Sequence, residues 1–358
     1  MQDSNFTKDH LLMTSFDPRL IQYNAAQTQQ FYKVLAERMR GTSGVQSVAL
    51  TQNVPLGQTD FDGVTFVPDG FQMPPDRANF SSMMDTVDEG YFETMGIPIL
   101  RGRAFLASDT ADAPRVAIVN MRFAKHFWPG GDAVGKRIRL DSSTGTTVEI
   151  VGVAETVKYQ STQSAMDFVY MPQAQHPVAR MVLMLRTGGD PRQLIPSVKD
   201  AVRSLDSNLP ILQTRAYEEF YLNQAVYGPR IAIDLVGSMG LVGLLLAVAG
   251  LYGLVAYNVI RRTREIGIRI ALGAGRSDVL RLVMGKGLVL VGIGTGVGLA
   301  MGFMVERLMN SMLFDSGGVD ILAYVVVVPT LLLVTMLAAY VPARRASRIA
   351  PTEALRYE

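Results

Sequence analysis

The residues of this chain that could do chemistry are few, and their spacing does not suit it. Gly130 to Arg137, GGDAVGKR, follows the phosphate-binding loop pattern up to its last position, where Arg137 replaces the Ser or Thr that would hold Mg²⁺. The local order is turn then strand rather than strand then helix, so no nucleotide site is expected there. His10, His126 and His176 are the only imidazoles, no two of them at ligand spacing on one helix, and cysteine is absent, so no metal site is expected. No GxSxG, HExxH or paired-carboxylate frame is present, and Asp85, Asp88 and Glu89 read as a solvated acidic patch that starts a helix. An enzyme is not expected.

What the sequence does concentrate is positive charge. Between Arg261 and Lys286, seven Lys or Arg stand against Glu265 and Asp278. Ile266 and Ile270 fall one helical turn apart, with Leu272 nearby, and form a short apolar stripe on a helix studded with arginine. Gly273 and Gly275 end that helix; Ser277, as N-cap, and Asp278 begin another. Such a helix suits contact with a cytoplasmic partner, and it equally suits lying on anionic lipid.

The elements that hold this stretch are apolar. Residues 235–260 are free of charge for 26 positions, 287–305 for 19 and 321–343 for 23. Each is long enough to cross a hydrocarbon core of about 30 Å, the middle one only just, so spanning helices are expected at about 231–260, 284–307 and 321–343. The 261–286 connection and the tail with Arg344, Arg345, Arg348 and Arg356 are basic, whereas the hairpin 306–320 holds only Arg307 against three acids. Loop and C-terminus are therefore expected inside and residues 1–228 outside. The first ten residues lack both a basic region and an apolar region, so no export signal leads this domain, and a truncated chain missing a first spanning helix is expected. Inside the membrane, Gly294, Gly298 and Gly302 form GxxxGxxxG, and Gly292, Gly296 and Ala300 repeat the spacing; this suits either dedicated helix interfaces or unspecific packing. Asp234 and Glu306 sit near the outer ends, and the lack of deeper charge disfavours an ion-coupled pathway.

Composition agrees with a divided chain. Of 358 residues 48% are hydrophobic, and a net charge of +2 excludes bulk attraction to nucleic acid. Residues 1–229 carry 21 basic and 24 acidic side chains, and the remainder 13 and 8. In the front part, Leu11 to Asp17 reads as a strand, Ile21 to Arg40 as a helix and Val45 to Leu50 as a strand; the same order recurs from Met181 to Tyr217. Two such units predict a split α/β subdomain with a mostly β lobe, about 58–178, inserted between them. Tyr91, Phe92 and Met95, and Phe123, Phe127 and Trp128, form apolar clusters that suit core packing better than a ligand pocket.

The runs RRTREIGIRIALGAGRSDVLRLV and PARRASRIAPTEALRYE closely resemble the FtsX-like permease domain of MacB-type ABC transporters, especially its large duplicated permeases. GYFETMGIPILRGRAF, VAIVNMRFAKHFWPGGDAVGKRIRL and VEIVGV resemble the core-domain signatures of the same family. The resemblance implies a periplasmic core domain over 1–228, porter-like with an inserted lobe, and a permease domain over 229–358 in a bacterial inner membrane. The helix at about 262–274 would be the coupling helix that docks on an ATP-binding subunit, through Glu265, Ile266, Gly267, Ile268, Arg269, Ile270, Leu272 and Gly273. ATP and Mg²⁺ would be bound by that partner and no cofactor by this chain. A second permease copy or repeat and a periplasmic adaptor are further implied partners, and the implied action is mechanical transmission to the outer domain. An ATP-independent membrane scaffold that recruits an envelope enzyme is the alternative.

Overall fold

The computed structural model describes residues 5–56, 62–75, 77–159, 166–262 and 292–305, with single positions (265, 268, 275, 285, 289, 307, 325, 329, 330, 333, 334, 336, 337 and 340) between and beyond them. The chain divides into two units, Met1–Pro229 and Arg230–Glu358. The first runs β1 (Leu11–Phe16), α1 (Ala25–Arg40), β2 (Val45–Thr51), β3 (Asp62–Pro68), β4 (Phe80–Val87), α2 (Tyr91–Met95), β5 (Ile99–Gly102), β6 (Val116–Asn120) and α3 (Met121–Phe127). It continues through β7 (Arg137–Leu140), β8 (Thr147–Ala154), β9 (Phe168–Pro172), β10 (Met181–Thr187), α4 (Ile195–Leu205), β11 (Gln213–Ala216) and α5 (Tyr217–Leu222).

Capping sets the start of α1. The expected helix from Ile21 is broken by a 3-10 turn, Pro18–Ile21, closed by Gln22 in the left-handed region at φ 61°. The α-helix begins only after Asn24, whose side chain accepts from Gln27 N–H while Gln27 Oε1 accepts from Asn24 N–H, both at 2.9 Å. This reciprocal box satisfies two backbone donors that the first turn would otherwise leave unpaired.

Strands β11, β1, β10 and β2 lie side by side in that order, all antiparallel. Alternation along each strand sends Leu12, Phe16, Leu183 and Leu185 to one face, where α1 and α4 cover them with Phe31, Leu35, Met39 and Val198. The same alternation sends Leu11, Met13, Ala49, Val182 and Met184 to the other face. Both halves of the split subdomain thus contribute to one sheet.

The inserted segment closes on itself. Strand β4 pairs with β3, β3 with β7, β7 with β8, β8 with β6, β6 with β9, and β9 returns to β4 in parallel register. This six-stranded ring leaves none of its strands with a free pair of edges. Val64, Phe66, Ala117, Val119, Ile138, Ile150 and Val169 form its interior cluster, with Phe123 and Phe127 from α3 packed among them. The outward residues Val116, Ile118, Val151, Phe168 and Tyr170 join the second face of the split subdomain, so α2 and both lobes share one core.

The seam is strand β4, and the acidic residues there are not the solvated patch expected. Asp85 is 0% exposed and Asp88 5%; of the three only Glu89 reaches solvent, where it pairs with Arg40 at 2.9 Å. Strand alternation turns Asp85 inward beside Tyr170, its register partner on β9. Asp88 Oδ1 accepts from Gly90 N–H at 3.1 Å and so fixes the turn into α2.

In the second unit, α6 (Gly228–Arg261) supplies the one helix among the described residues long and apolar enough to cross a membrane, over Arg230–Arg261. Within the expected middle span, the apolar helix is described as Gly292–Val305, shorter than a crossing. The expected third span lies largely outside the described residues.

Candidate functional site

Helical backbone runs without a break from Tyr217 to Arg261, through α5, one π-helical stretch at Asn223–Tyr227, and α6. Helix α5 lies in the first unit and is anchored there. Tyr217 is fully buried, and its hydroxyl donates to Pro55 O at 2.7 Å. Its ring packs against Phe6 and Phe220, with centroids 6.1 and 5.9 Å away. The Arg215 guanidinium lies 4.9 Å from the Phe220 ring, and Lys8 Nζ lies 4.3 Å from the Tyr221 ring, both within cation–π range. Burial raises the Tyr217 hydroxyl far above the usual phenol range, so it stays a donor.

Beside this anchor is an open cleft of about 860 Å³, lined by His10, Asp190, Arg192, Glu218, Glu219 and Tyr227 among others. Arg192 pairs with Glu219 at 3.3 Å, and His10 Nδ1 lies 3.0 Å from Gly189 O. Both signs of charge line the cleft, without a paired nucleophile and base. No group of three or more metal-ligating side chains occurs among the described residues.

Beyond the anchor, α6 carries one covered stripe. Leu251, Val255 and Val259, four residues apart, are buried, while Leu235, Leu245, Leu254 and Tyr257 are exposed. At the end of the helix the Arg261 guanidinium stands 5.8 Å from the Tyr257 ring. Of the sequence-derived coupling residues, Glu265 and Ile268 are helical and exposed. Ile266, Gly267, Arg269, Ile270, Leu272 and Gly273 lie outside the described residues. Gly292, Gly294, Gly296, Gly298 and Gly302 all fall in the Gly292–Val305 helix. A Cβ placed on any of the first four would meet nothing within 4 Å, so that surface is open among the described residues.

The anchor escaped sequence reasoning. Tyr217, Phe220 and Tyr221 stand at i, i+3 and i+4 directly before the long apolar run, which is a helical signal, but Tyr217 also closes a strand-like run and was read with it. Histidines show no convergence: His10 is exposed, His126 pairs with Asp167, and burial holds His176 below the ordinary imidazole range.

A mixed α/β unit is followed by one helix that is long and apolar enough, by length and composition, to cross a membrane. Residues 4–201 match the MacB-like periplasmic core domain, and residues 237–351 match the FtsX-like permease C-terminal domain. The chain belongs to this family of ABC transporter permeases. It is 27% identical over 287 residues to the macrolide export ATP-binding/permease protein MacB of Hahella chejuensis, covering 77% of this chain and 43% of that protein. It is 25% identical over 285 residues to the uncharacterized ABC transporter permease YknZ of Bacillus subtilis, covering 76% and 69%. The chain thus spans less than half of the first relative. Among solved structures, the periplasmic region of MacB from Actinobacillus actinomycetemcomitans superposes with a TM-score of 0.42 at 12% identity, over 62% of this chain and 96% of its own.

Proposed function

We propose that this chain is the transmembrane subunit of a MacB-like ABC exporter, driven by a separate ATP-binding subunit that holds ATP and Mg²⁺. The observation that carries the reading is the unbroken helical run from the buried anchor at Tyr217 to Arg261, in a chain of this permease family. In this reading the chain crosses a bacterial inner membrane three times, at about 231–260, 284–307 and 321–343, with residues 1–228 outside and the C-terminus in the cytoplasm.

The segment at about 262–274 docks on the ATP-binding subunit through Glu265, Ile266, Gly267, Ile268, Arg269, Ile270, Leu272 and Gly273. Nucleotide-driven motion there passes along α6 to α5 and the extramembrane domain. The glycine face of the middle helix, Gly292, Gly294, Gly296, Gly298 and Gly302, packs against a second permease copy or repeat, where the absence of side chains lets backbones approach closely; the first four are open among the described residues. Cargo is then handled outside, with a periplasmic adaptor.

The test is a pull-down from native membranes through a C-terminal tag, followed by ATPase assay of the assembly. Glu265→Ala and Gly267→Leu should leave folding intact, release the ATP-binding subunit and reduce stimulated ATPase by about tenfold, the equivalent of roughly 1.4 kcal/mol of lost coupling. Unchanged ATPase in a normally assembled complex would sink the coupling role. Recovery of an envelope enzyme with no ATP-binding subunit would favour the scaffold.

A further inference from the structure

The seam between the two lobes holds a hydrogen-bond arrangement that works in only one protonation state. Thr51 Oγ1, at the end of β2, lies 2.6 Å from Asn53 O and 2.8 Å from Asp85 Oδ2. A hydroxyl has one proton to give. Asn53 O is a carbonyl and can only accept, so both contacts are hydrogen bonds only when Thr51 gives its proton to Asn53 O and takes one from Asp85. The remaining carboxyl oxygen, Oδ1, accepts from Asn53 N–H at 3.0 Å. Gln52 N–H, which donates to Thr86 O at 2.9 Å, and Thr86 N–H also act on the carboxyl and lower it, but less than burial raises it.

We propose that Asp85 is a neutral carboxylic acid in the folded protein, donating its proton from Oδ2 to Thr51 Oγ1, and that this proton closes the seam between the split subdomain and the β ring. The seam is narrow: β2 and β4 share the single register pair Thr51↔Val87, two residues beyond Asp85. With Asp85 ionised, the single Thr51 proton serves only one of its two neighbours and leaves the other contact, with Asn53 O or with Asp85 Oδ2, lone pair to lone pair where no solvent reaches. The groups packed around it are the phenols Tyr91 on α2, Tyr159 after β8 and Tyr170 on β9. Just past the end of β4 lies Asp88, whose carboxyl burial raises to about 7, with Arg40 of α1 at 3.7 Å. The phenols supply no positive charge to offset a carboxylate. Burial accordingly pushes the Asp85 carboxyl up to about 8, against the bonds from Thr51 and the backbone that would lower it.

The linkage has a definite sign. A carboxyl raised in the folded state adds stability that is complete below its unfolded value near 3.8 and is lost as pH rises through the folded value of about 8. The proposal concerns the extramembrane unit alone and stands whether or not the coupling reading does.

The test is infrared difference spectroscopy on the full chain in nanodiscs. In an Asp88→Asn background, which removes the neighbouring carboxyl that burial raises to about 7, the chain should show at pH 7 a buried carboxylic acid C=O band that is absent once Asp85→Asn is added and that fades as pH rises through about 8. Asp85→Asn presents an NH₂ to Thr51 and a C=O to Asn53, so it should fold, and the melting-temperature gap between it and the wild type should change steadily from pH 5 to 8 and level off above. If Asp85→Asn does not fold, Thr51→Val, which removes the accepting hydroxyl, must shift the band. Absence of the band at pH 7, or a band unmoved by either substitution, overturns the proposal.

Discussion

Asp109 shows how one carboxylate can hold a loop that secondary structure does not. Its oxygens accept from Arg103 Nη1 and Nη2 at 2.7 and 2.9 Å, and Oδ2 also accepts from Leu106 N–H at 2.9 Å. Burial pushes this carboxyl up, but the bonds from Arg103 and Leu106 outweigh burial and hold it below the usual range. The stability it contributes is therefore present above its unfolded value of about 3.8 and lost as pH falls through the lowered folded value. Asp109→Asn should cost about 1–3 kcal/mol at pH 7, the scale of a charge-assisted bond broken beside a buried group. The deficit should shrink below pH 4, which thermal melts across pH 3–7 would show. The contrast with Asp85 is instructive: both are buried carboxyls, but one faces a guanidinium and the other a hydroxyl whose proton is already given. A neighbour's donor count, not burial alone, separates their charge states.

At the scale of elements, ends matter more than middles. Helix α1 is amphipathic along its length, yet its start is set by the Asn24–Gln27 box and its end by Gly41. Asn24→Ala should lower stability by about 1 kcal/mol, read as a shift in the unfolding midpoint, and increase hydrogen exchange at the first turn before the rest of the helix. Helix α2, only five residues long, persists because four of its five side chains are buried, with Tyr91, Phe92 and Met95 in the shared core, and Gly96 ends it at φ 65°. Gly90, just before it, has no room for a side chain; a Cβ there would stand 2.2 Å from Val48 O. Helix α5 is likewise short and held by the Tyr217 and Phe220 rings, both in the shared core.

Across the whole extramembrane unit, the distribution of cores decides cooperativity. The cluster that includes Leu11, Met13, Tyr91, Val116, Phe168 and Tyr217 draws on both lobes and on α5. Opening one lobe would expose apolar surface of the other, so the split subdomain and the β ring should unfold together rather than in turn. Hydrogen exchange on the full chain in detergent with increasing denaturant should show β9 and β10 losing protection at the same concentration. Protection lost in β9 well before β10 would mean the lobes are independent.

The sequence by itself determined a good deal. Strand β2 ends within a residue of the Val45–Leu50 run read as a strand from its alternation, because alternation is local information, and β10 begins the second unit at Met181 as expected. The family was also legible, carried by runs in the core domain and in the permease part of the chain. Closure of the inserted lobe was not, since it depends on β4 meeting β9 some eighty residues later, a pairing for which no local pattern exists. Only tertiary structure turned Asp85 from an apparent surface acid into a buried one, and only tertiary structure seated Tyr217 on Pro55. In both cases the partner lies far along the chain, and what a polar group does is decided by which atoms surround it.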